Sequence, residues 1–302
     1  MAKRRHPLIE CVANMSEGCD AAAISEMAAV VLRAGARLLD VHVDCDHHRS
    51  VFTMAGTASE LERAAVRLAH EAAGRIDLRV HRGVHPRIGA LDVVPFVPLS
   101  GSTLRECIDL AARVGERIAC ETRIPVFLYG LAARRADRAS LATIRSGGVE
   151  GLAARIGREG WVPDFGPPTL HPSAGAVSVG ARPPLVAYNV CLETTDMALG
   201  RRIAAAARAT NGGPTGVQAL AFFLKRRGCV QISMNLTDVE ATSVATAFSC
   251  VSDLAAASGV GVASSEIVGL APRQALTGAT AEGLRLEGRL VDRMLEEHLE
   301  GT

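Results

Sequence analysis

The chain has 302 residues, of which 48% are hydrophobic and 22% are charged, so it is long enough for two domains of about 150 residues each. Its 33 Lys and Arg residues balance 32 Asp and Glu residues, and no block of like charge offers a surface for nucleic acid. No apolar run approaches the roughly 20 residues that a membrane helix needs. We therefore expect a soluble, cytoplasmic protein with small-molecule partners.

The basic cluster Lys3-Arg4-Arg5 resembles the front of a secretory signal. No apolar stretch or small-residue cleavage site follows it, so we interpret it as a solvated terminus. Eight cysteines are scattered without paired metal-ligand spacing, which indicates reduced thiols. Cys107 and Cys250 lie among apolar residues and are predicted to fill the core.

The first part of the chain alternates between strand and helix patterns. Predicted strands cover residues 8–12, 38–43, 50–54, 91–97 and 124–129, and predicted helices cover 21–33, 58–73 and 102–117. Two of these strands flank the polar loop around His47 and His48. Neighbouring strands of this kind favour an α+β sandwich over a strictly parallel sheet.

The segment from Gly157 to Pro184 is interrupted so often by Gly and Pro that we expect no long regular element in it. A second series of elements follows. It comprises strands at 185–192, 230–234 and near 260–263, helices near 197–208 and 239–257, and a charged C-terminal helix. We place the domain boundary near Arg182, with one domain at 1–181 and the other at 182–302.

His85 begins the segment HPRIGALDVVPFVPL, immediately before a predicted buried strand. Histidine is the side chain whose ordinary pKa lies nearest neutrality, so it is the first candidate for proton transfer. Arg87 can bind a carboxylate through its guanidinium fork, and Gly89 permits close approach of the backbone. These neighbours single out His85, whereas His81 lacks such a setting and is expected on the surface.

A second polar region, DVHVDCDHHRSVFT, starts at Asp40 and is crowded with possible ligands. It contains His42, Asp44, Asp46, His47, His48 and Arg49. Carboxylates and imidazoles suit zinc or manganese, so a metal site is the rival interpretation. We prefer a polar loop that lines a substrate site, because nearly consecutive residues in a turn rarely converge on one ion.

A third region, PDFGPPTLHPSAGAVSVGARP, starts at Pro163 and offers many exposed backbone amides. Asp164 and Ser173 can hydrogen-bond a heterocycle, and Gly166 and Gly175 would leave room for its flat ring. A rigid structural linker would have the same composition, so both interpretations stay open. Phosphate-binding glycine loops and the G-x-S-x-G elbow of serine hydrolases do not occur in the chain.

Taken in order, these motifs closely resemble one family, the formiminotransferase domain. The resemblance rests on ECVANMSEG, DHHRSVFTMAG, HPRIGALDVVPFVPL, IPVFLYG, PDFGPPTLHPSAGAVSVGARP, VQISMNLTD and EIVGLAP, which span nearly the whole chain. The chain departs from the family pattern at Ala13, Met15, His48 and Leu131, and animal members carry an acidic residue where this chain has His42.

The resemblance implies an α+β fold of two ferredoxin-like subdomains with a ligand groove between them, assembled as a homodimer. It implies transfer of a formimino group from N-formimidoyl-L-glutamate to tetrahydrofolate, a step of histidine degradation and one-carbon metabolism. Tetrahydrofolate would be a co-substrate, and no metal, nucleic acid or membrane is expected. Because the chain ends where the transferase domain ends, no cyclodeaminase activity is expected.

The resemblance places the catalytic histidine at His85 and a folate-contacting loop at Gly166 through Gly175. Arg49, Arg87 and Arg182 are candidates for carboxylate binding, and Asp44 or Asp46 for the amidinium group. The full set of predicted binding residues is Asn14, Glu17, Asp44, His48, Arg49, Arg87, Asp164, Gly166, His171, Ser173, Gly175 and Arg182.

Three alternatives remain open at this point. A related enzyme would act on formyl-folate or on another formimino donor. A protein of a different class would bind folate without catalysis. Metal-dependent hydrolysis at the Asp/His loop is the third alternative.

Overall fold

The computed structural model describes residues 7–300, so the predicted solvated terminus at Lys3-Arg4-Arg5 lies outside the described residues. The chain divides after Pro183 into two units, each with its own sheet and hydrophobic core. The strands of the first unit are β1 Ile9–Met15, β2 Arg37–Asp44, β3 Arg49–Gly56, β4 Leu91–Pro98, β5 Val126–Gly130 and β6 Val177–Ala181. Its helices are α1 Ala21–Arg33, α2 Ala58–Arg75, α3 Leu104–Thr122, α4 Leu141–Arg145 and α5 Gly148–Ala153.

The sheet of the first unit has the order β2-β3-β1-β4-β6-β5. Strand β1 pairs antiparallel with β3 and β4, and β2 pairs antiparallel with β3. The segment from β1 to β4 is therefore a βαββαβ unit in the ferredoxin-like strand order. Strands β5 and β6 extend the sheet beyond β4 through parallel pairs.

Helices α1, α2 and α3 begin where side chains satisfy the free backbone amides of the first turn. Asp20 accepts hydrogen bonds from the amides of Ala22 and Ala23 at the start of α1. Both α2 and α3 start with a capping box, Thr57 with Glu60 and Thr103 with Glu106. The predicted helix at 21–33 is confirmed at both ends.

One face of this sheet packs against the three long helices and forms the main core, which includes Met15, Phe52, Leu68, Phe96 and Val114. A smaller apolar cluster from the 141–153 segment packs beside β4 and β5 and includes Val93, Phe127 and Ile144. Because β3, β1 and β4 are neighbours in register, Met15 lies opposite both Ser50 and Leu91. The loops at this end of the three strands are therefore brought together.

The second unit repeats the ferredoxin-like order on a smaller scale. Its strands are β7 Val186–Leu192, β8 Val217–Leu224, β9 Cys229–Leu236 and β10 Val262–Val268, and its helices are α6 Met197–Ala207, α7 Val244–Ala256 and α8 Leu295–Glu300. The sheet order is β10-β7-β9-β8, with every pair antiparallel. The predicted α+β class with two ferredoxin-like units is confirmed, and the ligand groove stays a prediction.

The structure contains two strands, β6 and β8, that the sequence patterns do not predict. Strand β6 lies inside the Gly- and Pro-rich segment. It has five residues and fits between Pro172 and Pro183. Strand β8 directly follows the turn-rich NGGPTG stretch, and the sequence pattern does not distinguish the strand from that turn. The helix predicted to start at 239 begins at Val244, because Asp238 to Thr242 form a turn and Ser243 caps the helix.

All eight cysteines fall within the described residues and are free thiols. Cys107 is fully buried in the core, as its sequence context predicts, and Cys250 is half-buried. In residues 7–300, no helix combines the length and the apolar content required to cross a membrane.

Candidate active site

A cavity of about 180 Å³, open to solvent, lies where the ends of β1, β3 and β4 meet in the first unit. Its lining is polar and rich in nitrogen, and consists of Met15, Ser16, His47, His48, Arg49, His85, Arg87 and Asp92. This volume includes open solvent, so the cavity is an open cleft whose polar side chains face the solvent.

His85 and Arg49 meet inside this cavity. Nη1 of Arg49 lies 2.7 Å from Nδ1 and 2.8 Å from Nε2 of His85, so it is within hydrogen-bonding distance of both ring nitrogens. Nδ1 of His85 also lies 2.7 Å from the carbonyl oxygen of Pro86, to which it can donate only as Nδ1–H. The neutral tautomer consistent with these contacts leaves Nε2 as the basic nitrogen.

Burial holds the pKa of His85 well below its usual value, and the nearby cations Arg49 and Arg145 lower it further. His85 is therefore a neutral imidazole at physiological pH. Burial also lowers the pKa of Arg49, to about 9, and Arg145 acts in the same direction. Arg49 still carries its charge at neutral pH and is fixed by a 3.2 Å hydrogen bond from Nε to Oδ1 of Asn14.

His47 and His48 occupy the tip of the β2–β3 hairpin and face different partners. Nδ1 of the buried His47 lies 3.0 Å from Oδ2 of Asp44, and its ring centroid is 5.9 Å from that of His85. Burial opposes ionisation of Asp44, but the hydrogen bonds from the side chain and backbone of His47 hold its pKa at about 2. Asp44 is thus anionic and positions His47 beside His85.

His48 adopts a left-handed backbone conformation with φ of 51°, which is uncommon for a residue with a side chain. Its Nε2 lies 3.1 Å from Oε1 of Glu17, and its ring stacks on His81 with centroids 4.1 Å apart. The expectation that His81 lies on the surface is wrong, because its side chain is buried and its Nε2 lies 2.9 Å from the carbonyl oxygen of His48.

Arg87 lines the cavity with spare hydrogen-bonding capacity. Its Nη2 donates to the carbonyl oxygen of His81 at 3.1 Å. Its Nε is buried and has no hydrogen-bond partner within residues 7–300. Burial lowers the pKa of this guanidinium, although arginine remains protonated in proteins.

The sequence patterns do not predict the ion pair between Asp92, which lines the cavity, and Arg145. Asp92 is buried, accepts a 2.8 Å hydrogen bond from the amide of Ile88, and forms an ion pair with Arg145. Asp92 lies in the HPRIGALDVV motif, whose pattern indicates only a strand at this position. Arg145 lies in the short helix α4, and no local pattern connects it with a carboxylate 53 residues earlier.

The 163–175 loop contributes no residue to the lining of this cavity. Asp164 accepts hydrogen bonds from the amide of Leu128 at 2.8 Å and from Arg138 at 3.4 Å, so its carboxylate anchors the loop to β5. Nδ1 of His171 accepts a hydrogen bond from the amide of Ala174, and the carbonyl oxygen of Ser173 accepts one from Leu78. Gly166 is exposed with φ of 87°.

The expected space above Gly175 is filled by the protein itself. A Cβ at Gly175 would lie 2.2 Å from the carbonyl oxygen of Ile88, so the idea that this glycine leaves room for a flat ring is wrong. Gly89 likewise faces the carbonyl oxygen of Ala176, at 1.8 Å from an ideal Cβ. Both glycines permit close packing of the segment after His85 against the 174–176 segment.

The other predicted residues lie apart from the cavity lining. The backbone amide of Arg182 donates to Phe96, and its Nη1 donates to the carbonyl oxygen of Pro183 at 3.0 Å. Asp46 accepts a backbone hydrogen bond from Val84, and Asp46 and His42 are half-buried.

One group in the described residues has the composition of a metal site. Oxygen, sulfur and nitrogen atoms of Glu17, Cys19 and His48 lie within 4.8 Å of one another. Burial opposes ionisation of Glu17, but hydrogen bonds from the amides of Asp20 and Cys19, and then His48, lower its pKa. The predicted Asp/His loop therefore supplies one donor, His48, to this group.

The arrangement as a whole offers a neutral imidazole beside two guanidinium groups, together with the buried carboxylate of Asp92. Such a site can accept and return a proton while binding a carboxylate. The residues that line the cavity include neither a phosphate-binding helix terminus nor a nucleophile elbow.

Two family models match the chain. The N-terminal subdomain of the formiminotransferase domain matches residues 8–182, and the formiminotransferase domain matches residues 187–298. The chain is 44% identical to a glutamate formimidoyltransferase of Thermoplasma acidophilum, over 96% of this chain and 98% of that protein. It is 40% identical to a glutamate formimidoyltransferase of Streptococcus pyogenes, over 97% and 99%.

A longer relative shows the same similarity in part of its length. The formimidoyltransferase-cyclodeaminase of Gallus gallus is 37% identical over 96% of this chain and 54% of that protein. Together with the two family models, these matches cover almost the whole sequence. The chain belongs to the formiminotransferase family.

Proposed function

We propose that this protein is a glutamate formimidoyltransferase, which moves the formimino group of N-formimidoyl-L-glutamate to tetrahydrofolate. The observation that carries the proposal is the neutral imidazole of His85 in a cavity lined by Arg49 and Arg87. Relatives of this name, aligned over nearly their full length, support the same activity. Tetrahydrofolate is a co-substrate in this proposal.

The reaction requires a group that moves protons in both directions. A ring nitrogen of tetrahydrofolate attacks the formimino carbon, and the amine of glutamate leaves from the tetrahedral intermediate. Nε2 of His85 takes the proton from the attacking nitrogen and returns it to the departing amine. General acid–base catalysis of this kind contributes about 100- to 10,000-fold in rate.

Arg49 couples substrate binding to the basicity of His85. In the absence of substrate, its N–H groups lie against the ring nitrogens of His85 and its charge lowers the pKa of the imidazole. A substrate carboxylate is a stronger acceptor than a neutral imidazole, so it draws the guanidinium away. This frees Nε2 and raises its pKa towards the range of an effective base.

Arg87 is the second carboxylate-binding candidate, because its buried Nε has an open position for an acceptor. The anionic carboxylates of Glu17 and Asp44 would keep the amidinium of the donor protonated and electrophilic. The same proposal assigns folate contacts to the other predicted residues except Gly175: Asn14, His48, Asp164, Gly166, His171, Ser173 and Arg182. It also includes a cytoplasmic homodimer that acts in histidine degradation.

The test is a panel of donors offered to the purified protein with tetrahydrofolate. N-formimidoyl-L-glutamate should give turnover, and formimidoylglycine, which lacks the second carboxylate, should give a kcat/KM at least about tenfold lower. A preference for formimidoylglycine or formyl-folate would assign a related folate reaction instead. Tight folate binding by calorimetry, without transfer from any donor, would identify a non-catalytic folate-binding protein.

A further inference from the structure

Three different metal-ligating side chains meet beside the candidate active site. Glu17 and Cys19 belong to the turn between β1 and α1, and His48 belongs to the tip of the β2–β3 hairpin. Their carboxylate oxygen, Sγ and imidazole nitrogen lie within 4.8 Å of one another. Cys19 is exposed, and the other two are half-buried, so the group opens to solvent on one side.

The two segments are held together by close backbone packing. A Cβ on Gly18 would lie 2.2 Å from the carbonyl oxygen of Asp44 and 2.4 Å from the amide of Arg49. Only glycine at this position lets the turn approach the hairpin so closely. The distance between the donors is thus set by the backbone of both segments.

The donor atoms are also oriented individually. Oε1 of Glu17 is fixed by hydrogen bonds from the amides of Cys19 at 2.7 Å and Asp20 at 2.9 Å. The His48 ring is fixed by its stacking on His81, with an angle of 16° between the ring planes. A site whose ligands are fixed in advance loses less entropy when it binds an ion.

Oε1 of Glu17 and Nε2 of His48 are 3.1 Å apart, which is close to the separation of two ligands on one tetrahedral ion. With metal–ligand bonds of 2.0–2.1 Å, that separation is about 3.3 Å. A thiolate, an imidazole and one carboxylate form a donor set that suits Zn²⁺ and Co²⁺, whereas Mg²⁺ and Ca²⁺ require oxygen ligands. We propose that Glu17, Cys19 and His48 bind one thiophilic divalent cation of the zinc class.

Such an ion would inhibit the enzyme. It would occupy Glu17 and His48, which the proposed function assigns to substrate, while the side chain of Cys19 has no part in that proposal. Inhibition therefore rests on the proposed function, but metal binding does not. The two claims are separated by measuring binding in the absence of substrates.

Cobalt is the probe, because a thiolate ligand gives Co²⁺ a charge-transfer band in the near ultraviolet and tetrahedral coordination gives intense visible bands. The reduced, chelator-treated full-length protein is titrated with Co²⁺, and Zn²⁺ is then added to displace it. We expect one equivalent to produce both sets of bands. Cys19→Ser should abolish the charge-transfer band and weaken binding about tenfold or more.

Two cysteines outside the group serve as matched controls. Cys45 is adjacent in space, since its Sγ contacts the carbonyl oxygen of Gly18, and Cys120 is exposed on α3. Cys45→Ser and Cys120→Ser should keep the cobalt bands. The absence of a thiolate band in the unaltered protein, or its persistence in Cys19→Ser, would overturn the proposal.

Activity gives the second readout. In chelator-treated samples, Cys19→Ser should turn over at the rate of the unaltered protein and should require at least about tenfold more Zn²⁺ for half inhibition. Equal inhibition of both proteins would show that zinc acts elsewhere. If neither protein has formimino transfer activity, the proposed function fails while the cobalt titration still decides the metal site.

Discussion

Nη1 of Arg49 lies close to both ring nitrogens of His85, at 2.7 Å from Nδ1 and 2.8 Å from Nε2. A cation in this position stabilises the neutral imidazole and opposes its protonation. Burial is the main reason why His85 is unprotonated in the free protein, and the contact with Arg49 adds to it. The same contact covers the basic nitrogen until an anion competes for Arg49.

Replacement of His85 by Ala should remove the proton-transfer group and little else. We expect kcat for formimino transfer to fall by about 100- to 10,000-fold. Tetrahydrofolate binding, measured by calorimetry, should persist. His70→Ala, a half-exposed histidine on α2 that pairs with Glu121, is the matched control and should keep full activity. Unchanged turnover in His85→Ala would refute the catalytic role.

Replacement of Arg49 by Gln should change the pH dependence of the reaction. Removal of the charge leaves burial as the main cause of the low pKa of His85, so that pKa should rise towards 6.5. Because His85 must be unprotonated to act as a base, the acidic limb of the kcat/KM profile should move to higher pH. The variant should also raise KM for the formimino donor.

A chemical-shift titration of the His85 ring by NMR separates the two effects of Arg49. A His85 pKa that is the same in Arg49→Gln as in the unaltered protein would show that Arg49 does not lower it. Asn14→Ala provides the comparison, because it removes the 3.2 Å hydrogen bond to Nε of Arg49 but keeps the charge. Its profile should shift less than that of Arg49→Gln.

The sequence patterns predict the elements that depend on interactions between residues close together in the chain. The helix at 21–33 follows from apolar spacing and from the Asp20 cap, and both are present within a few residues of sequence. Strand β6 was missed because its partners β4 and β5 are distant in sequence, and its own composition of Val, Ser, Gly and Ala gives a weak signal. The ferredoxin-like order came from the family resemblance and not from periodicity.

The same limit applies to the site. His85, Arg49 and Arg87 were identified because each lies in a motif with several unusual residues together. The burial of His81 could not be predicted, because it results from stacking on His48, 33 residues earlier in the chain. The Asp92–Arg145 pair is a contact between a strand and a short helix that is distant in sequence, so no local pattern in the sequence predicts it.

The Asp92–Arg145 pair should contribute to stability because both side chains are largely withdrawn from water. Asp92→Asn would leave the guanidinium of Arg145 without its counter-charge, and breaking a buried pair from one side costs about 3–5 kcal/mol. We expect urea denaturation to show that the free energy of unfolding falls by about 3 kcal/mol, the lower end of this range. The loss is not larger because Asn can still accept the hydrogen bond from the amide of Ile88. A loss below about 1 kcal/mol would contradict this role.

The control for Asp92 is an exposed pair of the same chemistry. Asp109 pairs with Arg105 on the surface of α3, and the two side chains are 47% and 80% exposed. Asp109→Asn should change the free energy of unfolding by no more than about 0.5 kcal/mol.

His81 should make the protein less stable in mild acid. Burial lowers its pKa from 6.5 to about 4 in the folded protein, although the hydrogen bond to His48 opposes the shift. Between these pH values the unfolded chain binds a proton that the native state does not, so the free energy of unfolding falls as pH falls. The contribution of His81 amounts to about 3 kcal/mol at most.

Urea denaturation of His81→Asn across the same pH range measures this contribution. The variant should lose part of the decline between pH 6.5 and about 4. The remaining decline should come mainly from His85, whose pKa is lowered in the same direction. The carboxylate of Asp44 acts at lower pH, because its pKa falls from 3.8 to about 2. An unchanged slope in His81→Asn would show that His81 is not a source of the acid sensitivity.

Gly89 and Gly74 should respond in opposite ways to the same substitution. A Cβ at Gly89 would lie 1.8 Å from the carbonyl oxygen of Ala176 and 2.7 Å from that of Leu91, so Gly89→Ala must displace backbone. The cost of such overpacking is about 1–3 kcal/mol or more. A Cβ at Gly74, near the end of α2, would meet nothing within 4 Å, so Gly74→Ala should stabilise the protein by about 0.5–1 kcal/mol.

The substitution at Gly89 should also reduce activity, because the carbonyl oxygen of Gly89 accepts a 2.7 Å hydrogen bond from Ser16 and the preceding residues carry His85. Displacement of this segment moves the imidazole relative to Arg49, and misplacement of a catalytic group by about 1 Å can cost about 100-fold in rate. Thermal denaturation and kcat measured on both variants decide the point. If Gly89→Ala matched Gly74→Ala in stability and turnover, the close packing of the Gly89 segment would not be what positions His85.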